Sequence, residues 1–399
     1  MKLNHIYIYK SIACGVLLAM TATSCDLDYN PVDTYSDVTE GVNKTDEKPI
    51  FNSVQDVETS MVTLHKKFRD QQEHWYVDKL LIGDAHSDNA YAGTTGAEVV
   101  PYETNSIEGS NSVLKRDWDR FLGDIAVANR IIVGCDQLKA LSESERGKYQ
   151  SQAKIFRAMV MFDMVRLWGN FPVITTVGGD ITEDNVEEMY PTYFPPQNTA
   201  EEAYAQIEKD LTEAVENPNT PTNDTSDKSI LTKSVARAML AKVYAEKPLR
   251  DYAKVIKYAD ELAADGFDLV EDFSDLWAYD TEKKDCRVRN TKEAILEAHF
   301  PPGSGNWCTW MFGRNLSNWD ESFTWAKWIT PSRDLIRLYE EQGDTKRYNE
   351  SVVWYDCGWS NYYPADHYAF MYKCRSAFNS IIYLLSLIHI SEPTRLGMI

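Results

Sequence analysis

The segment A-K-I-F-R-A-M-V-M-F-D-M-V-R-L-W-G-N-F-P, Ala153 to Pro172, constrains the fold more than any other part of this chain. Apolar side chains cover almost the whole circumference of a helix here, and Lys154, Arg157, Asp163 and Arg166 are its only charges. A helix apolar on every side must be surrounded by other elements, so this one is expected at the centre of a helical assembly. Asp163 and Arg166 lie one turn apart and can pair. Gly169 followed by Pro172 reads as a stop, since Gly accepts the left-handed conformation at a helix end and Pro cannot continue the turn.

Helical periodicity runs on both sides of that segment. Val54, Val57, Met61, Leu64 and Phe68 recur at spacings of three and four, which places them on one helix face. Leu114, Trp118, Phe121, Ile125 and Ile132 do the same, and Asn129 falls on their apolar face, where it needs a hydrogen-bond partner. Thr199 and Glu202 form a capping-box pattern before a helix that buries Ala203, Ile207, Leu211 and Ala214. Residues 217–228, rich in Asn, Pro, Thr and Asp, read as a solvated loop. Val235, Ala236, Met239, Leu240, Val243 and Tyr244, then Tyr252, Ala253, Ile256, Ala259 and Leu262, mark two amphipathic helices joined at Pro248. Small Ala residues at their crossing suit a tetratricopeptide-like hairpin, although the full repeat signature is not legible. Pro331 suits a first helical position and Gly343 the end of that helix.

The N-terminus carries an address. Lys2 and Lys10 precede a short apolar run from Ile12 to Met20, and Ala22, Thr23 and Ser24 lead into Cys25. That is the plan of a secretory signal, too short to span a bilayer, which takes roughly 20 apolar residues. Cys25 after small residues resembles the lipobox of bacterial lipoproteins, and Asp26 and Asp28 resemble the acidic export signal of Bacteroidetes surface lipoproteins. Residues 1–24 are therefore expected to be a lipoprotein signal peptide, Cys25 the acylated residue, and residues 25–50 a flexible polar tether. With 41 basic against 61 acidic side chains the formal net charge is -20, which argues against nucleic acid as a partner. Of the Cys expected to remain free of lipid and leader, five are left, an odd count that leaves at least one thiol unpaired.

The order Ala153, Arg157-Ala158, an aromatic, Asp163, Arg166, Leu167, an aromatic, Gly169 and Pro172 resembles the signature of the SusD/RagB family of outer-membrane nutrient-uptake lipoproteins. Thr232 to Tyr244, the K-E-A-I-L-E run from Lys292 and the P-S-R-D-L-I run from Pro331 resemble family segments in the same order. The resemblance runs with gaps from about Ser53 to Lys373 and implies a mainly α fold, a SusD-like helical superhelix with tetratricopeptide-like hairpins and long irregular loops. It also implies a SusC-type TonB-dependent transporter as partner, over which the protein closes like a lid. Residues 51–384 are expected to form this domain, incomplete at its C-terminal end. Leu385 to Arg395, L-S-L-I-H-I-S-E-P-T-R, resembles the conceptual translation of a transposase adapter used in sequencing libraries, so residues 385–399 are expected to be an artefact.

Two regions have the composition of a glycan site. Trp307, Trp310, Trp319, Trp325 and Trp328 are five of the chain's eleven Trp, in a setting of Gly, Asn and Ser without helical periodicity. Pyranose rings present C–H faces that stack on aromatic rings while Asn and Asp bind hydroxyls. Residues 82–102 form the second region, with Asp88, Asn89, Tyr91 and Tyr102; the Asp88-Asn89 pair resembles a recurrent family element. Asp84, His86 and Asp88 do not match a calcium loop, because Asn89 stands at its sixth position and Thr95 at its twelfth. No H-E-x-x-H, G-x-S-x-G or G-x-x-x-x-G-K motif occurs, and no metal or cofactor is expected. His65, His74, His299 and His367 are scattered and read as packed or solvent-facing. The expected function is cell-surface capture of an oligo- or polysaccharide without catalysis. An exported all-helical glycoside hydrolase, whose carboxylates would be paired in space and not in sequence, and a helical-repeat scaffold for protein or peptide stand as alternatives.

Overall fold

The computed structural model describes residues 49–389, less 94–95, 180, 182–184, 247, 277–278, 281, 283–284, 301–313, 316–327, 356–367, 372–374 and 377–383. The expected signal peptide, Cys25 and most of the tether lie outside the described residues. Among the described residues no helix is long and apolar enough to cross a membrane.

Helix α1 (Val54–Asp70) starts at a capping box of Ser53 and Asp56 and buries the expected stripe of Val57, Met61, Leu64 and Phe68. The next helical stretch, α2, is wound unusually: π-helical turns at Glu73–Val77 and Leu81–Ala85 flank Asp78–Leu80. The wider π turn lets four successive side chains, His74, Trp75, Tyr76 and Val77, all be buried. Strand β1 (Ala90–Ala92) and the short helix α3 (Val100–Glu103) follow. Two long helices, α4 (Ser112–Gln137) and α5 (Glu143–Trp168), then pack against each other.

Helix α5 is the central element. From Ser151 to Val165 only Lys154 and Asp163 reach solvent, as an all-round apolar surface requires. It lies between α4 and α7 (Ala200–Glu216). Phe156 meets Trp75 with ring centroids 5.5 Å apart, and Trp75 packs edge-on against Phe121 of α4 at 6.2 Å. One polar network crosses this core. The Arg157 fork donates to both Asp210 oxygens at 2.8 and 2.7 Å and to Asn129 Oδ1 at 2.7 Å. Asn129 in turn donates to the carbonyls of Ile174 and Thr176. Asn129 is thus the structural residue its position implied, tying α4, α5, α7 and the chain after α5 together.

Asp163 and Arg166 do not pair with each other. Asp163 takes Lys79 of α2, and Arg166 reaches Glu246 at 3.0 Å, because partners from neighbouring helices outcompete a side chain on the same exposed face. Gly169 ends α5 with φ 73° and ψ -83°, and the Asn170 N–H bonds the Trp168 carbonyl at 2.9 Å. The stop is therefore a γ-turn with positive φ, a conformation open to Gly, where a left-handed α cap was expected.

Beyond the γ-turn an excursion carries α6 (Val186–Tyr193), which buries none of its residues. Its ends are fastened together. Phe171 and Asn198 form a β-bridge, Val173 N–H donates to Asn198 Oδ1 at 2.9 Å, and Ala200 N–H donates to Asn170 Oδ1 at 3.1 Å. Helix α7 opens with the expected Thr199–Glu202 capping box and buries Ala203, Ile207, Leu211 and Ala214. In the following loop, Lys228 departs from expectation. It is buried, its ammonium lies 4.3 Å from the Phe267 ring centroid, and it donates to Asn223 Oδ1.

Helices α8 (Lys233–Ala245) and α9 (Tyr252–Ala264) form the expected hairpin. The buried face of α8 is the one read from the sequence, but α9 is rotated. Tyr258 and Leu262 are buried, whereas Tyr252 and Ile256 are 55% and 61% exposed. Ala lies on several sides of α9, so periodicity alone offers two apolar faces. The larger Tyr258 ring, stacked at 6.1 Å on Tyr244, selects one of them.

Strand β2 (Ala294–His299) is almost wholly buried, and strand β3 (Ile329–Pro331) leads into α10 (Arg333–Gln342), α11 (Thr345–Ser351), β4 (Val352–Tyr355) and β5 (Tyr368–Met371). Pro331 belongs to β3 and Ser332 caps α10, so Pro331 precedes the helix and does not open it; Gly343 ends it as expected. Strand β6 (Leu384–His389) pairs antiparallel with β2, with Leu385 opposite Ala298. This adapter-like segment engages β2 through its main chain, which any extended segment can do.

Candidate functional site

The site is assembled where β1 meets β3. Tyr91 lies opposite Thr330 and Ala92 opposite Ile329, and Gly93 N–H bonds the Trp328 carbonyl at 2.9 Å. Two regions some 240 residues apart are joined by this pairing: the 82–102 stretch and the end of the Trp-rich segment. Ala90 and Ala92 point into the core and Tyr91 to the other side, half-buried, as strand alternation demands.

Ser332 locks the junction. Its Oγ donates to the Asp88 carbonyl at 2.5 Å and accepts from Leu335 N–H at 3.0 Å, and its own N–H donates to the Asn89 carbonyl at 2.9 Å. The N-cap of α10 thus grips the backbone of Asp88 and Asn89 while both of those residues remain exposed. The Tyr91 hydroxyl accepts from Arg333 N–H at 3.2 Å. On the other side of the loop His86 Nε2 lies 2.5 Å from Asn105 Oδ1, and Glu103 accepts from Ala92 N–H at 2.7 Å. The loop is therefore held at both edges by hydrogen bonds, with Asp88 and Asn89 exposed between them.

Tyr102 is the exception among the candidates here. It is fully buried, and its hydroxyl donates to Asn111 Oδ1 at 3.3 Å, the same atom that caps α4 by accepting from Val113 N–H at 3.0 Å. Burial first, then the charges of Asp117 and Asp78, raise its phenol well above the ordinary value. Tyr102 is a packing residue, and a ligand on the surface does not touch it. Trp307, Trp310, Trp319 and Trp325 lie outside the described residues. Trp328 is half-buried and packs against the core.

Among the described residues no group of three His, Cys, Asp or Glu gathers to hold a metal ion. The best-formed His–carboxylate contact is His74 Nε2 to Asp124 Oδ2 at 2.9 Å, but Trp75 Nε1 donates to the same oxygen and the group is enclosed in the core. Burial lowers the His74 pKa, with Asp124 opposing, so the neutral ring donates to the carboxylate as a structural bond. Cys135 is a buried free thiol, pushed up to about 12 chiefly by burial, and is no nucleophile.

A second exposed aromatic group went unnoticed in the sequence. On and after α6, Tyr190 and Phe194 stack at 4.7 Å, both more than half exposed, and the Tyr193 hydroxyl donates to the Gly179 carbonyl at 2.6 Å. The sequence carries a signal for it: between Arg166 and Lys209 there is no basic residue, and Tyr190, Tyr193 and Phe194 stand at helical spacing with no other apolar stripe around them to bury.

The comparisons with known proteins agree with this architecture. A SusD-like family model, described as starch-binding associating with outer membrane, matches residues 34–245. A SusD-like protein of Bacteroides ovatus is 25% identical over 309 residues, which are 74% of this chain and 50% of that protein. The chain thus spans about half the length of that curated relative. A laminarin-binding SusD-like protein superposes with TM-score 0.64 at 19% identity, covering 85% of this chain and 76% of that one. Surface glycan-binding protein A from Bacteroides fluxus gives 0.65 at 19% over 84% and 74%, and its namesake from Bacteroides thetaiotaomicron, solved with laminarihexaose, gives 0.63 at 14% over 82% and 71%. At such identities the likeness is one of fold.

Proposed function

The chain belongs to the SusD-like family, and from that premise we propose that it is a non-enzymatic, cell-surface glycan-binding protein that captures an oligo- or polysaccharide. The observation that carries this reading is the β1–β3 junction, which sets exposed Asp88 and Asn89 and half-buried Tyr91 beside the end of the Trp-rich segment. Asp88 and Asn89 supply acceptors and donors for hydroxyls, Tyr91 a ring for a pyranose face, and Trp307, Trp310, Trp319 and Trp325 further rings. Fixing the loop backbone before the ligand arrives lowers the ordering entropy that binding must overcome. The names of the similar structures, two of which mention laminarin or laminarihexaose, make a β-glucan the first ligand to try.

Within this reading Cys25 carries the lipid that holds the protein at the outer membrane, and residues 25–50 are the tether. A SusC-type TonB-dependent transporter receives the captured glycan as this protein closes over it. Palmitate labelling that persists in Cys25→Ser would remove the anchor from the scheme.

Affinity electrophoresis in gels containing laminarin or starch tests the binding function. Retardation without release of reducing sugar is the expected result. Tyr91→Ala and the triple Ala variant of Trp307, Trp310 and Trp319 should each weaken retention, by about two- to tenfold in Kd for a single stacking ring, on the basis of roughly 0.5–1.5 kcal/mol per aromatic contact beyond its area. Tyr102→Phe should leave it unchanged. Turnover of the glycan, abolished by a carboxylate substitution, would replace this reading with the hydrolase.

A further inference from the structure

Helices α2 and α4 face each other across a stripe of charge. From α4 come Arg116, Asp117, Arg120 and Asp124, and from α2 Glu73, His74 and Asp78. Arg120 pairs with Glu73 at 2.8 Å, and Asp124 is filled by His74 and Trp75. The remaining three groups do not balance. Asp78 and Asp117 are both enclosed, at 0% and 1% exposure, and a single guanidinium serves them: Arg116 Nη2 bonds Asp78 Oδ2, while its Nε stands 3.8 Å from Asp117 Oδ1. Asp78 Oδ1 and Asp117 Oδ1 are left without a donor.

An ionised carboxylate can only accept, so two of them against the same edge of one guanidinium satisfy nothing between themselves. A buried acceptor without a donor, and above all a second buried negative charge, is strongly disfavoured. One proton between the two side chains removes both defects, giving one carboxylate a donor and the other neutrality. We propose that Asp117 carries this proton in the folded protein and donates it to Asp78, forming a carboxylic acid–carboxylate pair that fastens α2, and with it the start of the 86–92 loop, to α4. Asp78 is the acceptor of the pair because it already holds the short contact to Arg116.

The charged and titratable groups around the pair are Arg116 and Arg120 from α4 and Tyr102 from α3, with Glu73 of α2 held by Arg120. Their effect on Asp117 is consistent with the geometry. Burial above all, then the charge of Asp78 and a hydrogen bond with it, push the Asp117 carboxyl up to about 9 against the opposing Arg116 and Arg120. The contribution to stability is fully present below the unfolded pKa, near 4, and is lost as pH rises through the folded value.

Urea unfolding of the full-length protein between pH 5 and 8.5 tests the pair, with Asp117→Asn, Asp117→Ala and Asp78→Asn as variants. The unfolding equilibrium constant of the parent should rise by up to about tenfold per pH unit relative to that of Asp117→Asn, the signature of one proton held only by the folded state. Asp117→Asn, whose amide donates as the acid does, should match the parent near pH 5 and exceed it at pH 8. Asp78→Asn leaves Arg116 without its carboxylate and should be less stable throughout. Infrared spectra give a readout independent of unfolding: a protonated-carboxyl band at pH 7 in the parent that is absent from Asp117→Asn. Equal pH slopes for parent and Asp117→Asn, or no such band in the parent, would overturn the proposal.

Discussion

The buried charge clusters around Arg157 and Arg116 are built on opposite principles. Around Arg157 everything matches: a planar fork meets both oxygens of Asp210, and its remaining nitrogen meets Asn129. Around Arg116 there is one guanidinium for two enclosed carboxylates, with acceptor atoms left over. In the first cluster every nitrogen of the fork meets an acceptor, and both carboxylate oxygens meet a donor. The second holds together only while a proton stays in it. Burial of charge is therefore not one structural device but two, a fixed lock where the count closes and a titratable joint where it does not.

The largest effect should come from opening the fixed lock. Arg157→Ala leaves Asp210 buried without its cation and should destabilise by about 3–5 kcal/mol in chemical unfolding. Arg157→Lys should recover only part of that, since an ammonium cannot serve two oxygens and Asn129 at once. Next, Asp210→Asn should cost about 1.5–3 kcal/mol at pH 7 through lost charge-assisted bonds, whereas the same change at Asp117 should not destabilise. Equal losses at the two sites would erase the distinction between the clusters.

A third arm separates charge from packing. A Cβ at Gly134 of α4 would come within 2.4 Å of the Phe51 ring. Gly134→Ala should therefore lower stability by about 1–3 kcal/mol, although Ala is the better helix former by roughly 1 kcal/mol. The smallest effect is expected at the half-exposed Glu73. Burial works against its ionisation, but the Arg120 guanidinium prevails and holds its carboxyl below the ordinary value. Its stabilisation is present above the unfolded pKa and is lost as pH falls through the folded one. Glu73→Gln should cost only about 0.5 kcal/mol at pH 7, after allowance for solvent screening, and should flatten the acid limb of the stability profile.

The legible parts of this molecule were those written in local pattern. The all-round apolar run of α5, the stripe of α1 and the Thr199–Glu202 box each fold as their spacing implies, because burial and capping act within one or two turns. What escaped depends on partners far along the chain. Asp163 and Arg166 looked like a pair until Lys79 and Glu246 arrived from other helices. The face of α9 was chosen by Tyr258 stacking on Tyr244, which no period in α9 records. Tyr102 has a ligand-like composition around it, yet it is fully buried with its hydroxyl on Asn111. Asp88, Asn89 and Tyr91 stood out by residue type and, for the Asp88-Asn89 pair, by family resemblance, but their junction with Trp328 depends on a strand pairing across some 240 residues. Even the carboxyl pair was present as letters only, since nothing in the spacing of Asp78 and Asp117 hints that they meet.

The fastened base of the α6 excursion has an evolutionary reading. Phe171 and Asn198 bridge, and Asn170 holds Ala200, so the chain leaves the body and returns to it at neighbouring points while α6 buries none of its own residues. Material between those points can lengthen, shorten or change its aromatic character with little demand on α5 or α7, because the entropy of closing a longer loop grows only slowly with its length. The body supplies a socket, and what protrudes from it is free to diverge.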